Sequence, residues 1–305
     1  MAVPDFQSVM LPFLEILQDG KERTMRELTE LLALRFKLSD EDRQKHLPSG
    51  PQPLFYNRVA WAKTHLKNAG LIDNPVRGKV SISEAGRKVL LQKLDTINCK
   101  FLKQFSSYLK FIGQTPDMDD DTEDVEMLES TQTPMELLEA SYNTLRKATA
   151  EDLIAKLKAC SPNFFEQVVV RLLRAMGYGG VTGEATVTGK SGDGGIDGVI
   201  KEDKLGLDVV CIQAKRWDGS VGRPVIQGFV GSMDYAQATK GVILTTSQFT
   251  KDALDFVGRI VGKRVVLIGG PKLAELMIEH NVGVNLTRLY ELKEVSNDFF
   301  DEDVA

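Results

Sequence analysis

Long apolar runs are absent from this 305-residue chain. No stretch approaches the roughly 20 residues that a membrane-spanning helix needs, which excludes an α-helical membrane protein. The start, MAVPDFQSVM, has neither a basic region nor an apolar core of the export-signal kind, so secretion is not expected. Cysteine is scarce. Cys99, Cys160 and Cys211 lie far apart in sequence and fit neither a zinc site nor a disulfide framework, so each reads as a small apolar residue in a reducing cytoplasm. Histidine is scarcer in effect: His46, His65 and His280 form no ligand pair at helical or loop spacing. There is no G-x-S-x-G elbow and no phosphate-binding P-loop, which leaves acyl transfer and nucleotide hydrolysis without support.

What is present is an ordinary globular composition, 42% hydrophobic and 27% charged, at a length that allows about two domains. The net charge of −5 looks wrong for a nucleic-acid binder until it is divided along the chain. Residues 1–110 carry 18 basic and 12 acidic residues, and 141–290 carry 19 and 15. Residues 111–140 have ten acidic and no basic residues, and 291–305 have six acidic and one basic. Both core regions are mildly basic, which permits phosphate binding without demanding it. The boundaries expected are 1–110 for a first domain, 111–135 for an acidic linker, 136–290 for a second domain and 291–305 for an acidic tail. The linker has too little apolar content to offset the entropy of ordering it. It reads as a solvated spacer, with DNA mimicry over a basic surface as the sharper alternative.

The first domain opens with apolar residues at helical spacing from Phe6 to Leu17. A second helix starts at the capping box Thr24-Met-Arg-Glu27 and carries Leu28, Leu31, Leu32 and Leu34. A third covers about 57–68 and stops at Gly70, a helix-terminating glycine. A turn around 73–78 then leads into a short strand, Lys79–Ile82. This order predicts a winged helix, whose last helix enters the major groove. Arg58, Lys63, His65 and Lys67 on the third helix, with Arg77 and Lys79 at the hairpin tip, are candidates for phosphate contact. Tyr56 and Trp61 read as core, with a position flanking a base edge or a methyl group as the alternative.

Beyond the linker the pattern becomes α/β. A helix covers about 136–158, and Ser161-Pro162 opens another through Phe164, Val168, Val169, Leu172 and Met176. Strands near 185–187, 195–201, 207–215, 241–247 and 264–268 alternate with helices over 224–238, 250–259 and 271–280. A central mixed sheet covered by helices is expected.

One segment cannot be an ordinary strand. Gly192-Asp-Gly-Gly-Ile-Asp-Gly198 has four glycines in seven residues, which lets another backbone or a ligand approach closely. It lacks the alternating oxygen ligands of a calcium loop, and no helix follows as in a dinucleotide fingerprint. It presents Asp197 at the start of a hairpin whose returning strand carries Gln213 and Lys215, two apart and therefore on one face. Glu166 shares a helix face with Val169, Val170 and Leu173, where an unpaired carboxylate would be costly. Either it pairs with a basic group or it joins the site. A carboxylate, a second oxygen and an amine fit metal-assisted phosphodiester hydrolysis, because Mg²⁺ needs few protein oxygens and an adjacent ammonium stabilises negative charge on the phosphate. Asp193 is a further acidic candidate, with a turn-stabilising role as its alternative. Arg216 and Arg223 follow the site and are candidates for holding phosphates. Thr245, Thr246 and Ser247 end a strand and read as hydrogen-bonding residues beside the site.

Asp197, then Gln213-x-Lys215, with Glu166 on a preceding helix, resembles the PD-(D/E)XK nuclease superfamily. More narrowly, GDGGIDG at 192–198, QAKRW at 213–217 and TTSQFT at 245–250 are similar to the Mrr family of restriction endonucleases. Tyr56-Asn-Arg-Val-Ala-Trp61 and Lys67-Asn-Ala-Gly-Leu71 resemble that family's N-terminal domain. The resemblance implies a restriction-endonuclease-like α/β core and a type IV activity, which cuts methylated double-stranded DNA with Mg²⁺, or Mn²⁺ as a substitute. It makes Asp197 the central metal ligand, Lys215 the catalytic lysine, and Gln213 and Glu166 further ligands. Gln213 departs from the superfamily's acidic residue, and its neutral amide oxygen is the weaker ligand. A non-catalytic DNA-binding regulator with a relic nuclease fold, or a structure-specific or repair nuclease, are the alternatives. Cutting both strands calls for two active sites, so at least a homodimer on DNA is expected, with the helix at 136–158 as its contact.

Overall fold

The structure is a computed structural model that describes residues 3–47, 52–76, 78–113, 131–179, 185–187, 195–201 and 208–293. Arg77, Asp193 and most of the acidic linker and tail lie outside the described residues. The chain divides into two compact units, Met1–Thr144 and Leu145–Ala305.

Unit 1 begins with α1 (Phe6–Ile16), capped by Asp5, whose carboxylate accepts from the N–H groups of Gln7 and Ser8. Strand β1 (Arg23–Thr24) leads into α2 (Met25–Arg35), where Thr24 and Glu27 form both bonds of the expected capping box. The short α3 (Asp40–Arg43) precedes α4 (Leu54–Asn68), which ends at Gly70 with φ +73°. Strands β2 (Ile72–Asp73) and β3 (Lys79–Ile82) are antiparallel, and β1 pairs with β3 from its other side. Three further helices, α5 (Glu84–Leu91), α6 (Cys99–Leu102) and α7 (Ser106–Phe111), add to the elements expected from the sequence. They are short. Ser83 and Asn98 start the first two by accepting from backbone N–H groups three residues on, which supplies locally what length does not. Gly86 allows α5 to approach the preceding chain, since a Cβ there would lie 2.2 Å from the Leu71 carbonyl oxygen.

The unit's core contains Phe13, Leu14, Leu17, Leu32, Val59 and Leu66, all at 0% exposure, each contributing roughly 1.5–3 kcal/mol by its burial. Leu31 and Leu34, apolar members of the same helix, are 38% and 63% exposed. In an 11-residue helix only one stripe can face the core, and Leu28 and Leu32 define it. His65 is also inward. It is 5% exposed, surrounded by the rings of Phe6, Trp61, Tyr108 and Phe111.

Helix α8 (Pro134–Ala159) crosses the division between the units in sequence. Thr133 and Glu136 cap its start reciprocally, and Thr133 Oγ1 also donates to Asn57 on α4. Leu153 and Leu157 are buried, whereas Leu138 and Leu145 are 44% and 69% exposed.

In unit 2, α9 (Pro162–Ala175) opens as expected at Ser161, whose hydroxyl accepts from the Phe164 N–H, with proline in its first turn. Strands β4 (Ala185–Val187), β5 (Gly198–Lys201), β6 (Val209–Lys215), β7 (Lys240–Thr245) and β8 (Arg264–Ile268) form one sheet in sequence order. The first two pairings are antiparallel and the last two parallel, so the sheet is mixed. Helices α10 (Arg223–Tyr235) and α11 (Lys251–Val257) make the β6–β7 and β7–β8 crossovers, and α12 (Gly270–Glu279) follows β8. The alternation of each strand assigns its two faces. Val210, Ile212 and Ala214 pack with α8, α9 and α12, while Cys211 and Ile243 pack with α10 and α11. The architecture is a mixed sheet between two helical layers.

Candidate active site

The hairpin β5–β6 places the candidate residues. Gly198 pairs with Ile212, so Asp197, one step before the strand, stands opposite Gln213. Its N–H donates to the Ile212 carbonyl at 2.9 Å, and its Oδ2 accepts from the Ala214 N–H at 2.7 Å. Asp197 is thereby fixed at main chain and side chain, with one carboxylate oxygen left over. Lys215 ends β6, two residues beyond Gln213 and on the same face. Its carbonyl accepts from Thr245 Oγ1 at 2.7 Å and from the Thr246 N–H at 3.3 Å, which ties the end of β6 to the end of β7. The TTSQFT segment therefore serves the site through the backbone of Lys215.

Glu166 reaches the same place from α9. Burial pushes its carboxyl up, the negative charge of Asp197 pushes it further, and Lys215 pulls it back. Asp197 is raised by burial, against the Ala214 hydrogen bond and the charge of Lys215. The three groups thus feel one another, and neither carboxylate forms an ion pair with another described residue. Two carboxylates held together in a partly buried space, with one lysine, leave an excess of negative charge that favours a cation.

Gln213 is 4% exposed. Its Nε2 donates to the Gly195 carbonyl at 2.5 Å, and its Oε1 is buried without a hydrogen-bond partner among the described residues. An orphaned buried oxygen on the residue opposite Asp197 fits a hard divalent cation, which such oxygens hold. Asp197 thus stands opposite Gln213 at the end of the hairpin, Lys215 follows Gln213 on the same face, and Glu166 and Lys215 lie near enough to Asp197 for their charges to act on one another.

The basic candidates fare differently. Arg58 is corrected: its guanidinium pairs with Glu136 at 2.6 Å and donates to the carbonyls of Val3 and Pro4, so it is committed to internal structure. Its position on α4 could be read from the sequence, but a partner 78 residues away could not. Arg216 is likewise occupied, since it donates to the Lys158 carbonyl in the last turn of α8. Arg223 lies over the Phe256 ring at 4.8 Å and pairs with Asp252 at 3.7 Å. Lys79 pairs with Glu22 at 3.4 Å. Lys63 and Lys67, one turn apart on α4, make no ion pair with a described residue; burial and the charge of Lys67 lower the pKa of Lys63. His65 does not join them on the surface: burial lowers it to about 4, and its Nδ1 lies 2.7 Å from the Tyr108 hydroxyl.

Comparison with known proteins identifies the family. Residues 157–277 match a family described as restriction endonuclease, and residues 6–92 match the Mrr N-terminal domain. The type IV methyl-directed restriction enzyme EcoKMrr of Escherichia coli (strain K12) is 36% identical over 313 residues, covering 99% of this chain and all of that protein. Among solved structures, the MspJI restriction endonuclease in complex with a 27-mer oligonucleotide matches at 19% identity and a TM-score of 0.26. That match covers 67% of this chain and 44% of the MspJI chain, so this protein spans less than half of MspJI's length. The protein belongs to the Mrr family of restriction endonucleases.

Proposed function

We propose that this endonuclease hydrolyses phosphodiester bonds of methylated double-stranded DNA, with Asp197, Gln213, Glu166 and Lys215 as its active site and Mg²⁺, or Mn²⁺ in its place, as its cofactor. The observation that carries the reading is the pair Asp197 and Glu166, without an ion-pair partner among the described residues but under the charge of Lys215, together with the buried Gln213 oxygen opposite Asp197 that has no partner among those residues. Likeness to a methyl-directed relative over the whole chain supports the substrate class.

When bound, a divalent cation supplies an acidified water and neutralises charge on the phosphate. Asp197 would hold it with the carboxylate oxygen that does not accept from Ala214, and Gln213 would offer its unpartnered amide oxygen. Glu166 supplies the second negative charge, which the amide at 213 does not provide. The Lys215 ammonium stabilises the charge that builds on the phosphate oxygens in the transition state. Thr245 and Thr246 keep its backbone in place.

Unit 1 holds the DNA. Its order of helices, followed by the β2–β3 hairpin, supports a winged helix with α4 as the groove-entering element and Lys63 and Lys67 as its phosphate contacts. Cutting both strands takes two active sites, so the enzyme works as a homodimer on DNA, in the cytoplasm. No described helix is long and apolar enough to cross a membrane.

One plasmid, with and without in vitro methylation, tests the reading. Breaks are expected only with methylation and Mg²⁺ together, and are lost in EDTA and in Lys215→Ala. A wild-type protein that leaves every methylated substrate intact in both Mg²⁺ and Mn²⁺ overturns it.

A further inference from the structure

Three hydrogen bonds lace residues 195–197 to β6. Two are made by backbone N–H groups: Asp197 to the Ile212 carbonyl, and Ala214 to the Asp197 carboxylate. The third comes from a side chain, Gln213 Nε2 donating to the Gly195 carbonyl at 2.5 Å. Gly195 has φ +94°, a conformation that favours glycine, and a Cβ there would lie 2.5 Å from Gln213 Nε2. The fit between this glycine and the amide is therefore tight, and it occurs two residues before Asp197.

A carboxylate at 213 could not make this bond. An ionised Glu has acceptors only, so it would set its oxygen against the Gly195 carbonyl oxygen in a space closed to water. An amide, by contrast, has two unlike ends. Its N–H donates on the side of Gly195, and its oxygen is left over.

We propose that Gln213 is a positioning residue as well as an oxygen ligand, and that the amide is required at this place because its N–H holds the turn that presents Asp197. The ligand half rests on the function proposed above, whereas the positioning half stands on the geometry alone. Restoring the acidic residue that the superfamily carries here would thus harm this enzyme.

The test compares full-length wild type, Gln213→Glu and Gly195→Ala by hydrogen exchange in EDTA, followed through peptides covering 195–201, and by cleavage of methylated plasmid in Mg²⁺. At pH 8, Gln213→Glu is expected to exchange about tenfold faster in those peptides, as one lost hydrogen bond implies, with β7 and β8 unchanged. Its cleavage falls although a carboxylate has been added. Gly195→Ala loosens the same peptides from the opposite side, and carries the test should the Glu variant fail to fold. Wild-type exchange in Gln213→Glu, or undiminished cleavage by it, overturns the proposal. Faster exchange in the variants of a wild type that cuts no methylated DNA would sustain the bracket and sink the proposed function instead.

Discussion

The charged residues of the two units are treated in opposite ways. In unit 1 the most suggestive basic residue, Arg58, is 14% exposed and satisfied by Glu136, itself 9% exposed, together with two carbonyls. In unit 2, Asp197 and Glu166 are brought together without an ion pair, and both carboxyls are raised by burial. A charge whose desolvation is repaid by partners belongs to the fold. A charge left costly in the folded state belongs to work the fold has yet to do. The same contrast separates two buried polar groups. His65 and Gln213 each have an atom without a partner among the described residues, but His65 is walled by aromatic rings, whereas Gln213 stands opposite Asp197.

The contrast is broken most directly at Asp197. Asp197→Asn keeps an oxygen for the Ala214 N–H and removes the charge. Cleavage should fall by roughly 10²–10³-fold, as for loss of a transition-state stabiliser. Stability should move the other way. A carboxyl whose folded pKa is raised costs stability above that pKa, and the cost vanishes as pH falls below the ordinary carboxylate value. In EDTA near neutral pH the Asn variant should therefore melt above the wild type, and added Mg²⁺ should raise the wild type alone. A variant that melts lower would place Asp197 with the structural charges.

His65 sharpens the contrast from the other side. Its pKa is lowered to about 4, whereas an unfolded histidine titrates near 6.5. The unfolded chain takes up a proton first as pH falls. Stability is thus full above about 6.5 and declines by roughly 3 kcal/mol on approach to pH 4. Thermal melts of the full chain, followed by a Trp61-sensitive signal, should show that slope, and His65→Phe should flatten it.

Arg58 and the pair Lys63 and Lys67 give the last and smallest effects. Breaking the pair by Arg58→Ala strands a largely buried carboxylate and should cost about 3 kcal/mol in a melt. Lys63→Glu with Lys67→Glu should leave the melt near wild type, weaken DNA binding by about tenfold, and flatten the salt dependence by roughly two contacts. Equal loss of stability in both variants would erase the distinction.

Much of this was legible locally. The Thr24 capping box, the Ser161 start of α9 and the Gly70 stop are set by residues within one turn of each other, so sequence alone carries them. The Asp197 and Gln213-x-Lys215 pattern was legible because a two-residue period puts alternate side chains on one face. What escaped was non-local. That Arg58 meets Glu136, that Arg216 caps α8, and that Gln213 spends its N–H on Gly195 all depend on contacts across 78, 58 and 18 residues respectively. The exposure of Leu31, Leu34 and Leu145 escaped for the same reason: apolarity marks a residue as able to be buried, and only packing decides which are.

By itself, then, the sequence determined the α/β character of unit 2, the helix starts, and the residue types offered to a phosphodiester, since these follow from periodicity, capping and chemistry within short stretches. Tertiary structure alone decided which of the offered charges found partners. Pairing depends on the distance between groups remote in the chain, and desolvation is set by everything packed around them.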